Sequence, residues 1–333
     1  MDKVFIIIVN YTKYKDTIEC LESVFKSTYA NFQVILIDNS PDDLSETNIL
    51  KWLNGQGANQ IETDYTELVY PLIKKPVDYL HITEDDIDKS ADAKSEKLIF
   101  VKAENRGFAA ANNIGLKYIL KCTAEPSFIW ILNNDTVVEK NCLRNLLGFF
   151  DDHELKYVIG SKLRFYHHKQ TLQAVAGRYN KWLGSTYHIG EGETDNGQYD
   201  DFLVSSDNYI IGASMFLPKQ FLNKVGVMDE DYFLYYEEMD WILRGSAHGF
   251  KIAIQPTAIV YHKEGSTIRG EEKKSSFSDY YSITNRLRFT KKWYPVCLYT
   301  VTLGVIYALV KRLMQGKIDF VKKTTVSVLK ILF

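Results

Sequence analysis

Four short apolar runs, residues 4–9, 34–37, 98–101 and 128–132, constrain what this chain can fold into more than any other feature. Each is about strand length, rich in branched and aromatic side chains, and apolar at successive positions, so both faces of each strand must be buried. Strands of that kind belong to a parallel sheet covered by helices. The covering helices are also legible. Ile18, Leu21, Val24 and Phe25 fall at helical spacing after the first run, and residues 108–120 form a second helical stretch before the fourth. The βαβ order predicts a doubly wound α/β sheet with its ligands at the carboxyl ends of the strands. At one such end Asn133-Asn134-Asp135 clusters oxygen ligands able to hold a hard metal and a diphosphate.

With 46% hydrophobic and 25% charged residues, the 333-residue chain can bury a sizeable core. A net charge of −2 gives no basic face for nucleic acid. Cys20, Cys122, Cys142 and Cys297 lack the spacing of a disulfide framework or a zinc site and read as buried thiols. Residues 4–9 turn polar at once in Asn10-Tyr11-Thr12, which suits a first strand better than a signal peptide. Between the second and third runs lies a long acidic connection, with an insertion at about residues 54–97, expected as a solvated excursion with some helix near residues 49–53. Further on, residues 143–150 read as an amphipathic helix, residues 157–159 and 162–166 as strands, and a glycine-punctuated, aromatic middle as site-lining loops. Residues 209–217 return as a strand, and residues 237–248 as a helix closed by Gly249.

The last 43 residues change character. Residues 296–310 are almost wholly apolar or hydroxylated, shorter than a bilayer span, and from Lys291 onward there are eight basic residues and one acid, Asp319. That pattern suits an extension, residues 291–333, lying on an anionic membrane surface; a helical hairpin that only packs on the domain is the plainer reading.

Asn10-Tyr11, Asp38-Asn39-Ser40, the segment from Asn105 to Asn112, and Asn133-Asn134-Asp135 arrive in a fixed order, followed by Gly212-Ala213-Ser214-Met215, Val225 to Glu230, Tyr235 to Asp240 and Tyr261-His262. Together they resemble the family 2 glycosyltransferases of GT-A fold, particularly the rhamnosyltransferase-like branch. The resemblance covers roughly residues 3–290 without the insertion. It implies a Rossmann-like mixed sheet flanked by helices over residues 1–290, and a nucleoside-diphosphate sugar, dTDP-rhamnose or a UDP-hexose, as donor. Each part of such a donor needs its own partner. Asp38 and Asn39 would meet the base or ribose, with Asn10 and Tyr11 framing the base. Gly107 beside Asn105 and Arg106 lets backbone approach the donor at a helix start, although no G-x-G-x-x-G fingerprint is present. Against these stand plainer roles as turn residues, strand caps and helix packing.

Asn133-Asn134-Asp135 aligns with the family's Asp-x-Asp metal motif, with Asn in place of the first acid. The resemblance implies Mg²⁺ or Mn²⁺ held by Asp135, with His262 as a further ligand and Asn133 and Asn134 on the donor side. His167 and His168, adjacent on a strand, point to opposite faces and do not form a metal pair. Inverting transfer needs one base to deprotonate the acceptor hydroxyl, and Glu238, with Glu237 beside it, stands where the family usually has Glu-Asp. Asp240 and Arg244 have the i, i+4 spacing of a structural ion pair. The implied acceptor is a lipid-linked saccharide at the cytoplasmic face of the membrane, in bacterial surface polysaccharide synthesis. Two alternatives stand beside this reading. A sugar nucleotidyltransferase would show a Gly-rich triphosphate loop after Val9, where none is found, and a non-catalytic scaffold leaves Asp135 and Glu238 without a task.

Overall fold

The computed structural model describes residues 2–57, 60–89, 95–122, 127–263 and 276–333. All four apolar runs become neighbouring strands. β1 (Lys3–Asn10), β2 (Phe32–Asp38), β3 (Tyr79–Thr83), β4 (Leu98–Lys102) and β5 (Ser127–Asn133) lie parallel in the order β3-β4-β2-β1-β5. They are joined through α1 (Tyr14–Val24), α2 (Leu44–Leu53), the short α3 (Thr66–Val69) and α4 (Glu84–Lys89), and α5 (Phe108–Lys121). Alternate residues of each central strand serve two separate cores: Phe5, Ile7, Ile35, Ile37, Ile129 and Ile131 on one face, Ile6, Ile8, Val34, Leu36, Trp130 and Leu132 on the other. This double burial is what the unbroken apolar runs require.

The second half completes a mixed sheet. It holds β6 (Thr136–Val138), α6 (Cys142–Gly148), β7 (Tyr157–Phe165), β8 (Leu172–Ala174), β9 (Gly177–Asn180), β10 (Ser185–His188), β11 (Asn208–Tyr209), β12 (Ser214–Pro218), α7 (Lys219–Val225), α8 (Glu237–Ala247) and β13 (Lys251–His262). β12 runs antiparallel between β5 and β7, β13 continues parallel to β7, and β6 closes that edge, while β9, β10 and β11 form a small antiparallel sheet. The first half of the sheet is thus wholly parallel, whereas the second mixes antiparallel β12 and β6 with the parallel pair β7 and β13. Residues 157–166, expected as two strands, give the single strand β7, and residues 209–217, expected as one, split into β11 and β12 with a turn between them. Gly249 closes α8 at φ +81° as expected, and all four cysteines are free and buried.

The acidic connection is more structured than a solvated excursion. β3 adds a parallel strand to the edge of the main sheet, and Leu68, Val69, Val77 and Ile87 are buried. A few apolar side chains suffice to anchor an otherwise charged segment. Part of the expected mobile stretch, residues 90–94, lies outside the described residues.

The chain ends in α9 (Ser276–Trp293), α10 (Leu298–Met314) and α11 (Ile318–Leu332). α9 runs through the expected boundary at residue 290. Its Phe289 belongs to the main core, whereas its Ile283 and Leu287 pack with Val301, Val305, Leu309 and Val328 of the last two helices. The helical segment Pro295–Met314, 20 residues of mean hydropathy 1.6, exceeds the apolar run seen in the sequence and is long and apolar enough by length and composition to cross a membrane.

At Gly107 the backbone has φ +100°, and a Cβ there would strike the carbonyl oxygen of Phe233 and lie 2.9 Å from its Cα. Gly107→Ala is expected to destabilise the fold by about 2–3 kcal/mol, through strain and the displaced Phe233 loop. A denaturant midpoint unchanged from wild type would disprove this.

Candidate active site

Register places three predicted residues side by side at the carboxyl edge of the sheet. Asp38 pairs with Asn10 between β2 and β1, and Val9 pairs with Asn133 between β1 and β5. Asp38 and Asn10 are fully buried. Asp38 Oδ1 accepts hydrogen bonds from Asn10 Nδ2 (2.7 Å) and Ser40 Oγ (2.6 Å), and Lys102 Nζ donates to Oδ2 at 3.0 Å. Both carboxylate oxygens are thus engaged within the protein, and Asp38 fastens the first two strand-end loops together. Asn134 turns back in the same way, donating to Thr17 Oγ1 (2.9 Å) and Asn10 Oδ1 (3.3 Å). Tyr11 is half-exposed. Asn105 Oδ1 accepts from Gly107 N–H (3.1 Å) and Asn39 Nδ2 (3.4 Å), Phe108 N–H is taken by Phe233 O, and Arg106 is paired with Glu84 of α4.

Beyond this row, the antiparallel pairing of β13 with β6 sets His262 opposite Thr136 and brings its Nε2 to 3.1 Å from Asp135 Oδ1. His262 Nδ1 lies 3.0 Å from Gln173 Oε1. With Gln173 accepting, Nδ1 carries the proton, and Nε2 presents a lone pair toward a carboxylate, which a proton or cation must bridge. Asn133 Nδ2 is 3.3 Å from the same Nε2, and Asn133 Oδ1 is buried without a hydrogen-bond partner. Carboxylate and imidazole together suit Mg²⁺ or Mn²⁺. Among the described residues no group of three or more His, Cys, Asp or Glu could hold a metal ion, so the remaining ligands of any ion here would be diphosphate oxygens and water. Burial works to raise the Asp135 pKa, but when a proton bridges from Nε2 the charge and hydrogen bond of the imidazolium, helped by Lys13, outweigh it and hold the carboxyl below its ordinary value.

Glu237 and Glu238 open α8, directly after Tyr235 and Tyr236, which both take left-handed φ values of +71° and +76°. For bulky side chains this is strained backbone, of order 1–3 kcal/mol per residue, so surrounding contacts must enforce it. Asn285 of α9 supplies two of them, donating from Nδ2 to Leu234 O (2.9 Å) and Tyr235 O (3.2 Å), and Tyr236 OH donates to Gly184 O (3.0 Å). The turn aims Glu238 at Gly212, where a Cβ would come 3.9 Å from the glutamate side chain. The next residue, Ala213, accepts the N–H of Asn133 at 3.0 Å. Only the loop 212–213 therefore separates Glu238 from the metal-motif strand end.

Burial pushes the Glu238 pKa up to about 7 against backbone hydrogen bonds at the helix start that lower it, and burial together with the charge of Glu238 raises Glu237 well above its usual range. Glu237 Oε2 and Glu238 Oε2, like Asn39 Oδ1 and Asn133 Oδ1, are buried oxygens without a hydrogen-bond partner, a group of acceptors open to donors from a ligand. Asp240 is turned away. It binds Arg244 Nε (2.9 Å), as the spacing predicted, and also Trp293 Nε1 and Lys292 Nζ (both 2.7 Å) at the end of α9. Two cavities lie apart from this cluster, one of ≈ 930 Å³ between α1, α2 and Tyr166, the other of ≈ 490 Å³ between α9 and α11, and neither is lined by Asp135 or Glu238. Asn285 and Gln173, which hold the turn before Glu238 and the histidine, carry no motif in the sequence. Their roles arise from contacts 50 and 89 residues away.

The Glycosyl transferase family 2 profile matches residues 5–63 and 82–202. The chain belongs to that family. It is 24% identical over 252 residues to the dTDP-rhamnosyl transferase RfbF of Shigella flexneri, a match spanning 73% of this chain and 80% of that protein. It is 29% identical over 106 residues to the minor teichoic acid biosynthesis protein GgaB of Bacillus subtilis (strain 168), covering 28% of this chain but only 11% of GgaB. The structure of the mannosyltransferase PcManGT from Pyrobaculum calidifontis in complex with GDP-Man and Mn²⁺ superposes with a TM-score of 0.53 at 12% identity, over 98% of this chain and 87% of that one. The fold is GT-A, as the motif order implied.

A glutamate titrating near 7 is a competent base only above that pH, so kcat for transfer should fall about tenfold per pH unit below 7. Because the folded-state pKa lies above 4.5, the carboxyl's contribution to stability is present at low pH and lost as pH rises through 7. Glu238→Gln should therefore raise Tm at pH 8 while removing transfer; a lower Tm at that pH would contradict the buried-carboxylate account. Asn285→Ala, which frees two carbonyls of the strained turn, should lower stability by about 1–3 kcal/mol. It should also reduce kcat more than it alters donor KM, whereas an unchanged kcat would show that the turn holds without it.

Proposed function

We propose that this enzyme is an inverting, divalent-metal-dependent glycosyltransferase that moves a sugar from a nucleoside-diphosphate donor to a saccharide acceptor. The observation that carries this reading is the arrangement of Glu238 across the loop 212–213 from Asn133, with Asp135 and His262 beyond it. One carboxylate with its pKa near neutrality is what a single displacement asks of the protein. Glu238 takes the acceptor proton as the acceptor oxygen attacks the anomeric carbon. The bond from that carbon to the diphosphate oxygen breaks, inverting the centre. Asp135 and His262 would hold Mg²⁺ or Mn²⁺, which when bound offsets the charge of the departing diphosphate, with Asn133 on the donor side. Asn10, Tyr11 and Asn39 shape the base and ribose end of the site, and Asp38 keeps their loops in place. Arg106 stands at the donor edge in reserve, held by Glu84.

The donor we favour is dTDP-rhamnose, since the relative matched over most of the chain is named a dTDP-rhamnosyl transferase, with a UDP-hexose as the alternative. Both named relatives support a place in cell-surface polysaccharide assembly. The eight bases against one acid from Lys291 onward, on helices with apolar outer faces, support a peripheral position on the cytoplasmic leaflet, and with it a lipid-linked acceptor. The test is a panel of nucleotide sugars with Mn²⁺, read by slow donor hydrolysis and thermal stabilisation. One donor should be selected, and Asp135→Ala should abolish its metal-dependent binding in calorimetry. Retained affinity in that variant would remove Asp135 from the metal site, and no selected donor would overturn the proposed activity.

A further inference from the structure

Two segments more than a hundred residues apart leave large apolar side chains exposed among the described residues. The first is the outer side of α10. Tyr299, Leu303, Ile306, Val310 and Leu313 recur at steps of four and three and are 48–74% exposed, while Val301, Val305 and Leu309 on the inner side are buried against α9 and α11. The second is the tip of the β9–β10 hairpin, Lys181-Trp182-Leu183, where Trp182 is 51% and Leu183 60% exposed. The two are joined. Thr300 Oγ1 donates to Trp182 O at 2.6 Å, and a Cβ on Gly184 would lie 2.8 Å from Val301 Cγ1, so the hairpin backbone rests on the first turn of α10.

We infer that the hairpin tip and the outer stripe of α10 form a single docking plane for an anionic lipid surface, set so that the catalytic turn stands at a fixed height above the bilayer. This inference rests on the membrane-associated reading given above and adds the catalytic domain's own contact to it. Charge complementarity names the occupant: Lys181 at the hairpin tip, Lys311 on α10 and Lys322 on α11 are exposed, and the whole tail is basic. Tyr and Trp at its N-terminal end suit the headgroup level, where a ring can bury its body and keep its polar edge wet. At 1.5 Å per residue, α10 would lie along the surface for roughly 25 Å. Lying flat keeps its inner side packed and preserves the Arg312–Asp279 ion pair, made by two contacts of 2.6 Å, which a perpendicular insertion would break.

The hairpin also reaches the catalytic turn. Gly184 O accepts the hydroxyl of Tyr236, the residue before Glu237, and Tyr179 of β9 packs edge-on against Tyr236 and Phe289. A surface gripping Trp182 and Leu183 therefore fixes where Glu238 meets an acceptor presented from the membrane.

Trp182 allows a direct test on the full chain, because Trp52, Trp130 and Trp241 are buried and Trp293 is partly buried. With vesicles of equal phosphatidylglycerol and phosphatidylcholine, brominated acyl chains should quench wild-type fluorescence, and Trp182→Phe should lose most of that quenching. The pair Trp182→Ser with Leu183→Ser should weaken vesicle partition at least fivefold, with Tm and donor binding unchanged. Partition that persists in the double variant, with Trp182 of the wild type unquenched, would overturn the hairpin's part and leave the tail anchor standing. No partition of the wild type would overturn both, and self-association through the stripe in sedimentation would replace the membrane with a second copy. Should the double variant fail to fold, the wild-type quenching alone decides.

Discussion

The left-handed pair Tyr235-Tyr236 is the constraint on which the rest of the site depends. Two aromatic residues do not adopt that backbone unaided, and the contacts that hold it come from everywhere but the local chain: Asn285 from α9, Gly184 from the small sheet, and Phe289 against the Tyr236 ring at 5.4 Å. This explains why α9 cannot be separated from the catalytic fold although the sequence changes character near its end. Its first half packs with the tail, its Asn285 clamps the turn, and its Trp293 and Lys292 pin Asp240 on α8. A helix that braces both the Glu238 turn and the C-terminal helices makes one mechanical unit of the two.

A second network works at the strand ends. Asn10, Asp38, Ser40, Thr17 and Asn134 satisfy one another in a closed set of short hydrogen bonds, and the oxygens left over belong to Asn39 and Asn133, on either side of it. A fully paired interior holding a few unpaired acceptors is a rigid frame with defined points of attachment. It also divides the predicted residues by task, since Asp38, Asn10 and Asn134 hold the frame, while Asn39, Asn133 and Asp135 are the ones with capacity to spare.

Much of this was legible in the sequence because its cause is local. An apolar run with both faces buried can only be a covered strand, and the polar residues that end it must lie at the sheet's carboxyl edge, so Asn10, Asp38 and Asn133 were placed correctly relative to one another. What stayed hidden depends on partners distant in the chain. Nothing in residues 209–217 shows that β12 begins only at Ser214 and runs antiparallel to β5, nor do the acids around β3 announce an edge strand, because a few buried side chains decide both. The direction of Asp38's bonds and the tasks of Gln173 and Asn285 are likewise invisible, since each is fixed by a contact rather than by a spacing.

The state of the Glu237-Glu238 pair follows from a contest that the turn sets up. At the N-terminus of α8 the free N–H groups and the helix dipole favour negative charge, and Glu238 does gain backbone hydrogen bonds there. Burial and the second carboxylate oppose them and win, because withdrawing two acids from water at adjacent positions penalises their joint ionisation more than one helix end can offset. The outcome divides the two side chains: Glu237, the more buried, is held neutral most strongly, and Glu238, with some solvent access beside Gly212, sits near neutrality. Had the backbone at Tyr235-Tyr236 been free to relax, the burial that raises both acids would no longer be enforced. The strained backbone is thus the source of the basicity.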